Sequence, residues 1–60
     1  MKTEYELLKD IFTRILGKDD DMEEASFDNG NTCLTLIIYG EYIDINFDKD
    51  GNAIDCCLAI

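Results

Sequence analysis

The sequence predicts an α+β domain: one N-terminal helix packed on a four-stranded antiparallel β-meander, strands in the order 1-2-3-4. Three observations point there. A capping signal opens a stretch whose apolar residues fall at helical spacing. Three turn signals then separate short runs rich in β-branched and aromatic residues. The registers set by those turns gather the large apolar side chains on one sheet face, which the helix must cover. Residues 1–60 form a single domain of this kind.

The helix is expected over residues 3 to 16. Thr3 and Glu6 match the capping box, with Thr3 as N-cap. Tyr5, Leu8, Ile11, Phe12, Ile15 and Leu16 make one broad apolar stripe bordered by Leu7. Glu6, Lys9, Asp10 and Arg14 point the other way, with Asp10 and Arg14 attractive at i, i+4. Gly17 suits a left-handed C-cap, and Lys18 follows at the negative helix end. Asp19, Asp20 and Asp21, with Glu23 and Glu24 just after, read as an acidic linker leading into the first strand.

The meander follows from its turns. Gly40-Glu41 suits a two-residue type II′ hairpin, which wants Gly first. It pairs Ile38 with Ile43, Leu36 with Ile45 and Leu34 with Phe47. Asp50-Gly51 suits a type I′ turn and pairs Phe47 with Ile54, Ile45 with Cys56 and Ile43 with Leu58. Asn29-Gly30 brings Phe27 opposite Thr32 and Ala25 opposite Leu34. This first strand has the weakest pattern of the four.

The same registers describe the face left uncovered. Tyr39 is expected opposite Tyr42, and Tyr42 opposite Ala59; Ile37 is expected opposite Asp44, and Asp44 opposite Cys57. Thr35, Asn46 and Asp55 form the next row, then Cys33, Asp48 and Ala53. Ile37, Tyr39 and Tyr42 thus gather at one end, Asp48 and Asp55 at the other, with Asp44 between. Tyrosine offers contact area at low entropy cost plus a polar tip. Beside carboxylates it suits an Arg- and Lys-rich partner, through charged hydrogen bonds and cation–π contact.

Charge sharpens that expectation. Asp and Glu number 14 against 5 Lys and Arg, a net charge of −9. Residues 1–18 hold four bases and three acids, +1; residues 19–60 hold eleven acids against Lys49 alone, −10. Such a field repels nucleic acid and acidic membrane and attracts a basic protein surface. No apolar run approaches the roughly 20 residues that cross a bilayer. Met1-Lys2-Thr3-Glu4-Tyr5-Glu6 lacks the features of a signal peptide. With three cysteines, an odd number with two adjacent, the expectation is reduced thiols in a cytoplasmic chain.

Catalytic chemistry is thin. Histidine is absent, so the ordinary general base is missing. Ser26 is the only serine and has no triad partners. Cys56 and Cys57 point to opposite faces of a regular strand and cannot jointly grip a metal. Cys33 and Cys57 share a face, but a strand lies between them, so roughly 9–10 Å separates them. Asn46 to Asn52 echoes the start of an EF-hand loop, yet Asn46 stands at the first ligand position and Cys57 at the twelfth. A hairpin turn accounts for Asp50-Gly51 better. No catalytic residue, metal site or cofactor is expected.

In size, acidity and helix-plus-meander pattern the chain resembles, as a class, the small acidic inhibitors of phages and mobile elements. Anti-CRISPR, anti-restriction and glycosylase-inhibiting proteins belong to that class, and some imitate DNA. The resemblance implies a non-catalytic protein that occupies a basic, nucleic-acid-binding surface of a host defence or DNA-processing protein. Asp44, Asp48, Asp55 and the segment from Asp19 to Glu24 would stand in for phosphates, with Tyr39, Tyr42 and Ile37 as anchors. Two alternatives stand beside it. One is a homo-oligomeric adaptor joined by its open sheet face or by its last strand, Ile54 to Ile60, a poorly protected edge and a route to a homodimer. The other is an immunity or antitoxin-like protein that neutralises a basic toxin.

Overall fold

The computed structural model describes residues 2–59. Helix α1 (Glu4–Ile15) precedes strands β1 (Asp21–Ser26), β2 (Thr32–Ile38), β3 (Glu41–Phe47) and β4 (Ala53–Ala59). The strands form one antiparallel sheet in the order β1-β2-β3-β4, as the turns predict. Ile60 and the side chain of Ala59, both placed by the sequence in the last strand, lie outside the described residues.

The capping box is formed. Thr3 Oγ1 accepts from the Glu6 N–H at 3.2 Å, and Glu6 Oε1 accepts from the Thr3 N–H at 3.1 Å. The helix ends differently from expectation. Leu16 is extended, and Gly17 is outside the left-handed region. The Asp20 carboxylate takes the Gly17 N–H instead, at 2.9 Å. A side-chain acceptor at that N–H replaces the left-handed glycine cap.

Three turns connect the four strands, but their loops differ from the expected ones. Between β2 and β3 the two loop residues are Tyr39 and Gly40, at φ +53° and +77°. Two positive φ values make this a type I′ hairpin, whose twist matches that of the strands. Pairing therefore moves by two residues: Leu34 faces Ile45, Leu36 faces Ile43 and Ile38 faces Glu41. A shift of two keeps every side chain on its face but changes its neighbours.

The other two turns are alike. Phe27 N–H donates to Asn31 O (2.9 Å) and Gly30 N–H to Phe27 O (3.0 Å); Asp48 N–H donates to Asn52 O (2.9 Å) and Gly51 N–H to Asp48 O (3.0 Å). Each is a three-residue loop in which only the glycine, Gly30 at φ +91° or Gly51 at +85°, is left-handed. Neither Asn29 nor Asp50 takes the positive φ that a type I′ turn requires. Their segments instead follow the pattern of a three-residue loop with glycine at the left-handed position.

The longer loops have two consequences. In β1 the register slides by one, so Glu24 faces Leu34 and Met22 faces Leu36. This reverses the expected faces of the first strand: Ala25 pairs with Cys33, and Phe27 leaves the ladder to close the turn. In β4 a bulge absorbs the slip. Phe47 pairs with Ala53, Ile54 is the extra residue, and from Asn46–Asp55 onward the register is the expected one.

Leu34, Leu36, Ile45 and Phe47 are the buried core among the described residues, with Tyr5, Leu8, Phe12, Met22, Ile38 and Ile43 packed around them. The Tyr5 ring meets Phe47 edge-on, with centroids 5.1 Å apart. At its start α1 is tied to the β3–β4 hairpin: Tyr5 N–H donates to Gly51 O (2.9 Å), and Glu4 Oε1 accepts from Ala53 N–H (2.8 Å). Further along, Lys9 forms an ion pair with Glu24 of β1. The helix thus crosses the sheet obliquely. Only part of its expected stripe is used: Leu7, Ile11 and Ile15 stay substantially exposed, as do Ile54 and Leu58 of β4.

Candidate protein-binding face

The sheet face away from α1 is built from three cross-strand rows. Asp21, Ile37 and Tyr42 form the first; Glu23, Thr35, Asp44 and Cys57 the second; Ala25, Cys33, Asn46 and Asp55 the third. Each row thus holds a carboxylate. None of the four strands contains Lys or Arg. The five basic residues lie in the N-terminal segment, the helix and the loops, so among the described residues no basic side chain belongs to the rows of this face.

Two of these carboxylates are held in place by neighbours. Thr35 Oγ1 donates to Asp44 Oδ1 at 2.7 Å, and Asn46 Nδ2 donates to Asp55 Oδ1 at 2.6 Å. Each bond crosses between strands and uses one oxygen, which leaves acceptor capacity on the carboxylate. Asp44 and Asp55 stand diagonally on adjacent strands, roughly 7–8 Å apart. Glu23 and Asp44 are separated by β2, roughly 9–10 Å. A partner with cations at such intervals could meet several at once.

Tyr42 lies on this face, about half exposed, opposite Ile37. Tyr39 does not pair with it, contrary to expectation, because the type I′ turn takes Tyr39 out of the ladder. Tyr39 is 95% exposed. It lines a shallow cleft with Gly17, Lys18, Asp19, Asp20 and Gly40, so the tyrosine and part of the acidic linker meet at one end of the sheet.

Two expected members of the acidic set serve other purposes. Asp48 follows β3 and is not part of the outer rows. Its Oδ1 accepts from the N–H groups of Asp50 and Asn52, both at 2.9 Å. The Asn52 N–H is the main reason the Asp48 carboxyl sits below its ordinary range. The EF-hand-like string is therefore a hairpin closed by its own aspartate. Glu24 faces the helix, and Lys9, aided by Tyr5, holds its carboxyl below the usual range. Among the described residues, no three potential ligands lie together as a metal site would need.

Glu24 was detectable in principle. Met22 is the one large apolar residue of β1, and taking it as the core-facing position puts Glu24 inward and Glu23 outward. The three cysteines are free, with Cys33 and Cys57 on the outer face and Cys56 on the other. No family model, curated protein or solved structure matches the chain.

Proposed function

We propose that the chain is a non-catalytic acidic inhibitor that occupies a basic, nucleic-acid-binding surface of a host defence or DNA-processing protein. One observation carries this reading: a sheet face with a carboxylate in every row and no basic residue in any of its strands. Self-repulsion makes such segregation costly for the isolated chain, whereas a cationic partner converts it into attraction and rapid encounter. Asp21, Glu23, Asp44 and Asp55 provide the field, Tyr42 and Ile37 the uncharged contact beside it. Tyr39, with Asp19 and Asp20, extends the contact at the sheet end.

Immobilised chain in a bacterial lysate at low salt should retain proteins with basic nucleic-acid-binding surfaces. Salt and added duplex DNA should release them. The triple variant Glu23→Gln, Asp44→Asn, Asp55→Asn keeps the hydrogen-bonding shape and removes three charges, and should retain them at least tenfold less well. Capture that ignores salt, DNA and the triple variant alike would refute the proposal.

A further inference from the structure

On the helix side, α1 leaves a strip of apolar surface beside the free edge of β4. Lys9 of α1 faces Glu24 of β1, so helical spacing puts Leu7 (47% exposed), Ile11 (48%) and Ile15 (66%) on the side of the helix away from β1, toward β4, where Ile54 (54%) and Leu58 (64%) are exposed with Cys56 between them. None of these six side chains is charged, on a chain of net charge −9. At roughly 100 Å² apiece the five large side chains expose about 500 Å², within the roughly 300–600 Å² of the largest patch on a typical monomer, a patch that often marks a functional surface.

We propose that this strip and the β4 edge form the interface of a homodimer, with the β4 strands of two copies paired antiparallel across a twofold axis. Four features favour a second copy over another occupant. First, β4 is an edge strand with neither Lys nor Pro among Ala53–Ala59, so nothing in its sequence blocks pairing. Second, a twofold through Cys56 sets Ile54 of one copy opposite Leu58 of the other and Cys56 opposite Cys56. Asp55 then falls opposite Cys57, so the only charge of the strand avoids its own image. Third, two such strips bury about 1,000 Å², the lower limit for a specific interface, before main-chain pairing is added. Fourth, the four buried side chains among the described residues make a small core, and association is a common remedy for a chain of this size.

Such a dimer is a continuous eight-stranded sheet with both helices on one side. Both acidic faces lie on the other. The interface does not depend on the acidic-face proposal, and salt separates the two. Two copies that repel through their net charge associate more tightly as salt screens them, whereas an acid–base complex weakens.

Sedimentation equilibrium on the full chain tests this. The expected result is a species of twice 6.8 kDa whose dissociation constant falls several-fold between about 20 and 300 mM salt. Leu58→Glu and, independently, Ile15→Glu should yield monomers at least tenfold more dissociated. Both sites are solvent-exposed, and circular dichroism should show unchanged folding. A variant keeping only Cys56 should couple into dimers with a short bis-maleimide, and one keeping only Cys33 should not. A monomer at all salts, or a dimer that survives Leu58→Glu and Ile15→Glu but is lost on Tyr42→Ala, would overturn the proposal. In either of those cases the acidic face could still bind its cationic target.

Discussion

Gly51 sits against Thr3, the residue that caps the helix: a Cβ on Gly51 would lie 2.6 Å from Thr3 Cβ and 2.8 Å from its Oγ1. The contact joins two chain segments that sequence reading treats separately. The left-handed glycine of the β3–β4 loop is also the surface on which the helix N-terminus rests, and the Tyr5 N–H bond to Gly51 O holds the two together.

Gly51→Ala therefore adds a steric clash to left-handed strain. The strain is worth about 1–2 kcal/mol and the overpacking a further 1–3 kcal/mol or so. Gly40→Ala is the control. Gly40 has φ +77°, but among the described residues nothing lies within 4 Å of its Cβ position, so only the strain of about 1–2 kcal/mol applies. Urea unfolding should rank the two in that order. Equal losses would mean that the Thr3 contact yields without cost.

The core should be unforgiving because it is small. Phe47 is fully buried, meets Tyr5 edge-on and ends β3. Phe47→Ala should cost about 3–5 kcal/mol. A 60-residue domain is expected to have only about 3–9 kcal/mol in total, so this variant should lie near or beyond the limit of folding. Circular dichroism melting would show it. Leu58→Ala, at a mostly exposed position, should cost far less.

The elements were legible in the sequence because two period rules and three glycine-bearing turns agree. The face parity of β2, β3 and most of β4 followed, since a two-residue error leaves parity intact. β1 failed because a single added loop residue inverts a whole strand, and Asn29-Gly30 does not reveal whether its loop has two residues or three. The sequence alone does not set Asp48 and Glu24 apart from the free acids, for a related reason. Whether a carboxylate faces solvent, a cation or a row of backbone N–H groups depends on the register. Composition places the charge on the second half of the chain; only pairing assigns it to a face.

Acid should weaken the fold partly through Glu24. Its folded pKa lies below the ordinary 4.5, chiefly because of the hydrogen bond from Lys9 and then that from Tyr5. A lowered folded pKa adds stability that is complete above the unfolded value and lost as pH falls through the folded one. The loss should therefore begin below about pH 4.5. Glu24→Gln should lower the urea midpoint at pH 7 and shrink its fall between pH 7 and pH 3. An unchanged fall would mean that the ion pair with Lys9 contributes nothing to the acid response.

Tyr39 separates stability from binding. It holds φ +53°, a left-handed conformation that favours Gly or Asn, and its side chain is 95% exposed. The fold gains little from that ring and bears the backbone strain, which is of order 1 kcal/mol or more. Tyr39→Asn creates an Asn-Gly pair, the preferred sequence for a type I′ turn. It should raise the free energy of unfolding by roughly 0.5–1 kcal/mol, judged from the left-handed strain relieved. If Tyr39 anchors a partner beside Asp19 and Asp20, the same substitution should weaken capture from lysate several-fold while the protein becomes more stable. A stabler protein with undiminished capture would remove Tyr39 from the binding surface and leave the outer sheet face as the part to test.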